Sequence, residues 1–150
     1  MKSPMKNQNY SKTITAKISP SEAANRISRV SDWWTKNIKG ASQKLGDNFT
    51  VNFGETFVDF KIVELIPGKK IVWQVTNSNL HWINDKKEWN DTQVVWDIST
   101  RNNETTIQMT HVGLVPGVEC YDNCENGWNH YVGVSLLSLL TKNIGVLQKP

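Results

Sequence analysis

One change of rhythm constrains this chain more than any other feature. Between Phe49 and Val112 apolar and polar residues alternate in short runs, whereas after Pro116–Gly117 apolar residues return at every fourth position. The alternating runs are Phe49–Phe53, Phe57–Ile66, Lys70–Asn77, Gln93–Thr100 and Thr105–Val112, with turns at Gly54–Glu55, Pro67–Gly68–Lys69 and Arg101–Glu104. A period of two marks a strand with one buried face, and turns this short demand antiparallel pairing. The second rhythm, Cys120, Cys124, Trp128, Val132, Leu136 and Leu140, predicts an amphipathic helix of about five or six turns. A single long helix after such a sheet must lie across one of its faces. The predicted class is therefore α+β, a curved antiparallel sheet wrapped around a long C-terminal helix.

Upstream, Ser11–Ile18 alternates as a further strand. Ser19, Pro20 and Glu22 then read as a capping box that opens a helix through Ala23, Ala24, Ile27 and Val30. Ser31–Asp32 is expected to cap a second short helix holding Trp33 and Trp34, and Lys39–Asn48 is expected to be a loop. Residues 1–10 read as a disordered polar tail and residues 11–150 as one domain. Ser78–Thr92 is long and irregular, anchored by Leu80, Trp82 and Trp89, and a long loop carrying Trp packs over something. His81, Asp85 and Glu88 in it read as a solvated surface.

Composition excludes several classes of function. The 17 Lys+Arg and 14 Asp+Glu leave a net charge of +3, scattered without the basic stripe of a nucleic-acid groove. Met1–Lys17 has no apolar run that would make a signal peptide, and Tyr131–Leu140 is too short to span a bilayer. Two cysteines are too few for a disulfide scaffold, so the cytoplasm is the expected compartment. Neither membrane nor nucleic acid is an expected partner. No GxSxG, P-loop, GxGxxG or HExxH sequence occurs, so the motifs do not indicate an enzyme.

A twisted sheet around a helix leaves a hollow suited to apolar ligands. Strand alternation and the helix stripe predict its lining as Trp73, Val75, Trp96, Ile98, Met109, His111, Trp128, Tyr131, Val132, Ser135 and Leu139. Trp128 is expected to meet the sheet near Trp73 or Trp96, its N–H taken by a hydroxyl or a ligand oxygen. His111 reads first as a core histidine bonded to a neighbour, and second as a ligand handle or general base. Cys120 and Cys124 share a helix face, but CxxxC with scattered His lacks zinc spacing. Buried thiols are expected ahead of a redox pair, with no metal and no cofactor.

Trp73 within Lys69–Val75 (KKIVWQV), the Thr-His-Val-Gly-Leu run at Thr110–Leu114, and Gly127–Trp128–Asn129–His130–Tyr131 followed by Ser135–Leu136 carry a resemblance. They resemble the activator of heat-shock protein 90 ATPase homologue family, in the START-like (SRPBCC) superfamily that also holds the birch-pollen-allergen proteins. The similarity runs from Ser11 to about Ile144. It implies a helix-grip fold, in agreement with the pattern above. Co-chaperones of that family carry an additional N-terminal domain that contacts the chaperone, for which the polar tail here is no substitute. The expected function is a non-enzymatic module binding a small apolar or amphipathic molecule, as a monomer or homodimer. The alternatives are a co-chaperone acting on heat-shock protein 90, and a cyclase- or hydrolase-like enzyme with His111 as base.

Overall fold

A computed structural model of the protein describes residues 8–148. The strands are β1 (Tyr10–Ala16), β2 (Ile38–Gly40), β3 (Asn48–Phe53), β4 (Thr56–Ile66), β5 (Lys70–Asn79), β6 (Gln93–Arg101) and β7 (Glu104–Val112). They form one seven-stranded sheet in the order β1-β7-β6-β5-β4-β3-β2, antiparallel at every pairing. Helices α1 (Pro20–Ser28) and α2 (Val30–Trp33) follow β1. The C-terminal helix runs as α3 (Tyr121–His130), a π segment (Tyr131–Leu136) and α4 (Leu137–Lys142). This is the α+β helix-grip architecture.

Several boundaries differ from the sequence reading: α1 ends at Ser28, before Val30, and β5 runs to Asn79, into the stretch expected to be irregular. β1 begins at Tyr10, inside the segment expected to be a tail, because the Tyr10 ring is buried and its hydroxyl donates to Asn129 Oδ1 at 2.6 Å. Residues 1–7 of that segment lie outside the described residues. Ile38–Gly40, largely assigned to a loop, pairs with Phe49–Val51 as β2. Three residues are too few to show a period. Helix α2 starts at Val30, so Ser31 and Asp32 lie within it and no side chain caps it. At α1 the expected cap is present: Ser19 Oγ accepts the Glu22 N–H at 3.1 Å.

The sheet bends where β4 and β5 slip register, between Asp59 and Phe60 and between Ile62 and Glu64. An extra residue on one strand of a pair increases local twist, which lets a sheet wrap a helix. The π segment solves a second problem. A strict spacing of four drifts by about 40° per step on a helix of 3.6 residues per turn, and the wider π turns reverse that drift. Cys124, Trp128, Val132, Leu136 and Leu140 therefore all stay buried.

The hollow behind the helix is largely filled by α2. Trp33 stacks on Trp73 (centroids 6.4 Å, 14°) and meets Trp96 edge-on (5.6 Å, 78°). Trp34 stacks on Trp73 from beside it (6.4 Å, 8°). The Trp33 indole donates to the Ile27 carbonyl at 3.0 Å, whereas the buried indole nitrogens of Trp73 and Trp96 have no hydrogen-bond partner among the described residues.

Candidate functional site

What α2 leaves open is a pocket of about 310 Å³ at one end of the hollow. Its walls are Trp34, Phe53, Thr56, Val58, Leu80, Trp82, Trp89, Cys124, Gly127, Trp128 and Tyr131. Each element contributes for a local reason. Cys124, Gly127, Trp128 and Tyr131 recur at three and four positions along the helix and so share one face. Trp34 enters from the end of α2, and Phe53, Thr56 and Val58 flank the β3–β4 turn. Leu80, Trp82 and Trp89 come from the irregular loop after β5, so that loop does pack over something. Trp82 and Phe53, 46% and 38% exposed, stand at the mouth.

Of the predicted lining, Trp128 and Tyr131 are in this wall; the other nine residues are not. Trp73, Trp96 and Met109 are fully buried, and the Trp33 and Trp34 rings separate the first two from the opening. Val75, Ile98, Val132 and Leu139 belong to the same packed core. Ser135 faces away from the pocket. Its hydroxyl donates to the Trp33 carbonyl (2.6 Å) and accepts the Val146 N–H (2.8 Å), pinning the C-terminal segment that returns along the helix. Trp128 meets Trp34 (4.8 Å, 46°) and Trp89 (6.1 Å, 7°) in place of the Trp73 or Trp96 contact expected. Two signals pointed toward the missed walls: adjacent tryptophans in a helix too short to bury both alone, and a loop carrying two more.

His111 lies directly behind this wall, fully buried, edge-on to Trp89 (4.5 Å, 87°) and to Trp128 (5.9 Å, 80°). Its Nδ1 accepts the Trp128 indole N–H at 3.0 Å. Its Nε2 is 2.9 Å from Thr92 Oγ1, whose proton is already donated to the Trp89 carbonyl at 2.7 Å. The Thr92 oxygen must therefore accept, which makes His111 the neutral Nε2–H tautomer. Burial pushes its pKa down to about 3. A general base needs a lone pair aimed at the reacting atom, and both nitrogens are committed inside the protein. The core-histidine reading is the one realised.

Cys120 accepts the Trp89 indole N–H at 3.2 Å, and both cysteines are free and buried. The hydrogen bond with Cys124, together with burial, pushes the Cys120 thiol up. Among the described residues no three His, Cys, Asp or Glu side chains gather to hold a metal ion, and no helix is long and apolar enough to cross a membrane. Burial likewise pushes the Tyr131 hydroxyl up. Glu88 is not a simple solvated charge: its carboxylate accepts the N–H groups of Glu119 and Cys120 (2.7 and 2.9 Å).

A curved antiparallel sheet closed by a long terminal helix, with a pocket at one end, defines a START-like, helix-grip protein. Residues 23–141 match the family described as Activator of Hsp90 ATPase homolog 1-like protein, and the chain belongs to it. Among solved structures it is similar to the Aha1 dimer from Colwellia psychrerythraea, with 24% identity and a TM-score of 0.71, covering 88% of this chain and 95% of that one. It is also similar to protein MLL2253 from Mesorhizobium loti (14% identity, TM-score 0.68, 91% of this chain and 100% of that one). DynU16, from the dynemicin biosynthetic locus, matches at 18% identity and a TM-score of 0.67 over 90% of this chain and 48% of its own. No functionally curated protein matches the sequence.

Proposed function

We propose that this protein is a binding module for a compact, uncharged, aromatic molecule held in the pocket between the β3–β4 turn, the loop after β5 and helix α3. One observation carries the reading: six of the eleven lining residues are Trp, Phe or Tyr and none is charged. Such a wall offers ring faces and edges to a flat apolar ligand. It offers no counter-charge, so an ionised ligand would lose its hydration without compensation. A volume of about 310 Å³ is at the small end for ligand sites and suits two or three rings. The hydroxyls of Thr56 and Tyr131, the Cys124 thiol and the indole N–H groups of Trp34 and Trp82 are polar side-chain groups in the lining that can orient it.

Comparing N-phenyl-1-naphthylamine with its sulfonated relative 1-anilinonaphthalene-8-sulfonate tests this directly. The neutral dye is expected to bind with enhanced emission and quench the protein's Trp fluorescence, and the sulfonate to bind at least tenfold more weakly. Equal affinity for both, or no binding of the neutral dye, counts against the reading.

Family membership favours a second reading, action on heat-shock protein 90. The neighbour from Colwellia is a dimer, so self-association belongs to the same test. Light scattering gives the oligomeric state, and an ATPase assay with purified chaperone gives the activity. No stimulation at saturating protein removes this alternative.

A further inference from the structure

The loop that brings Leu80, Trp82 and Trp89 to the pocket is joined to the start of the C-terminal helix by two carboxylates. Glu88 takes the N–H groups of Glu119 (2.7 Å) and Cys120 (2.9 Å), one on each oxygen. Glu119 in turn takes those of Asn84 (2.8 Å) and Asp85 (2.9 Å), again one on each oxygen. The contact is reciprocal: each segment supplies one carboxylate and two backbone donors. The Trp89 indole adds its bond to Cys120 Sγ at 3.2 Å.

On its other side the loop is tied to the sheet, the His81 N–H donating to Thr56 Oγ1 (3.0 Å) and the Lys87 ammonium to Asn77 Oδ1 (3.0 Å). Much of its remaining bonding is internal. The Leu80 N–H donates to the Lys86 carbonyl (2.9 Å), and the Lys86 ammonium donates to the carbonyls of His81 (2.9 Å) and Ile83 (2.8 Å). It ends at Asp91, a non-glycine residue with φ of 69°, where the chain rejoins β5 through Val75. Much of the segment's shape is therefore held by its own bonds rather than by those to the helix.

We infer that Glu88 and Glu119 form a clasp whose release swings the loop off α3 and opens the aromatic pocket, so these two positioning residues set the rate at which a ligand enters and leaves. The inference rests on the pocket being the binding site. Hydrogen bonds to an ionised carboxylate are about twice as strong as neutral ones. Four of them between the same two segments break together. Glu119 is at the surface, so water replaces its bonds once they open and the sheet ladder is left intact.

Cys124 serves as a built-in reporter, since it lines the pocket and is only 8% exposed. The full chain and its Glu119→Gln and Glu88→Gln variants are treated with N-ethylmaleimide, a neutral reagent, and Cys124 modification is followed by peptide mass spectrometry. Each variant is expected to react about tenfold faster, because neutral acceptors replace ionised ones. Amide exchange at Asn84, Asp85, Glu119 and Cys120 should rise in parallel. Association and release of N-phenyl-1-naphthylamine should both accelerate while its affinity changes less than threefold. Ile107→Val, a core change away from the clasp, should lower the melting temperature and leave Cys124 reactivity as it was. Unchanged reactivity in both glutamine variants, or equal acceleration in Ile107→Val, overturns the clasp. Faster Cys124 reaction with no dye bound by any of these proteins supports the clasp and overturns the ligand-binding reading instead.

Discussion

The indole nitrogen of Trp128 and Nδ1 of His111, 3.0 Å apart, join the C-terminal helix to the last strand of the sheet inside the protein. The bond consumes the lone pair that would have made His111 a base. It also gives Trp128, a pocket wall, a fixed orientation. Thr92 and Trp89 extend the same chain of bonds to the loop on the far side of the pocket.

Stability should depend on pH through His111. Its unfolded pKa is near 6.5 and its folded value about 3, so between these the unfolded chain binds the extra proton. Folding stability is therefore full above pH 6.5 and is lost as pH falls toward 3, by at most about 1.4 kcal/mol per pH unit. Urea midpoints at pH 7 and pH 5 should differ for the parent and differ less for His111→Gln. Identical pH dependence in the two proteins refutes the assignment.

Two Trp→Phe changes separate a bonded indole from an unbonded one. Trp128→Phe strands the buried His111 Nδ1 and should cost about 1–3 kcal/mol beyond the loss of ring area. Trp96→Phe strands no bonded group, because the Trp96 indole nitrogen has no partner among the described residues. Trp128→Ala should cost about 3–5 kcal/mol, toward the lower end because the pocket adjoins it. Denaturation curves for the three variants settle the order; a Trp96→Phe cost as large as that of Trp128→Phe contradicts it.

At the mouth, stability and binding should come apart. Trp82 is 46% exposed, so Trp82→Ala should change stability by less than about 1 kcal/mol. Losing one aromatic contact should weaken N-phenyl-1-naphthylamine binding by about three- to tenfold. Unaltered affinity in this variant places the dye elsewhere.

Ser135 gives the opposite pattern. Ser135→Ala removes the donor to the Trp33 carbonyl and the acceptor for the Val146 N–H. It should cost about 1–3 kcal/mol and raise amide exchange at Val146, with dye affinity unchanged. A drop in affinity without a drop in melting temperature puts the Ser135 hydroxyl in the pocket after all.

Most of the architecture was legible because burial repeats with a period. Ile71, Trp73 and Val75, then Val94, Trp96 and Ile98, then Ile107, Met109 and His111, alternate as predicted and all turn inward. The helix stripe from Cys124 to Leu140 was equally clear. Its π segment was not read from it, although the strict spacing of four already hinted that a regular α-helix would not hold the stripe in line.

Of the pocket wall only Trp128 and Tyr131 were legible, because pointing inward is not the same as facing a cavity. Trp73, Trp96 and Met109 have the pattern of a pocket wall, but whether space remains beside them depends on what else fills it. Trp33 and Trp34 fill it, from the end of a four-residue helix and the residue that follows, too short a segment to show a period. Local alternation, a property of adjacent residues, thus determined the sheet, the helix and the inward faces. Only the tertiary structure decided where the opening lies, which carboxylate meets which backbone N–H, and that His111 spends both nitrogens internally, because each depends on residues far apart in the chain occupying the same few ångströms.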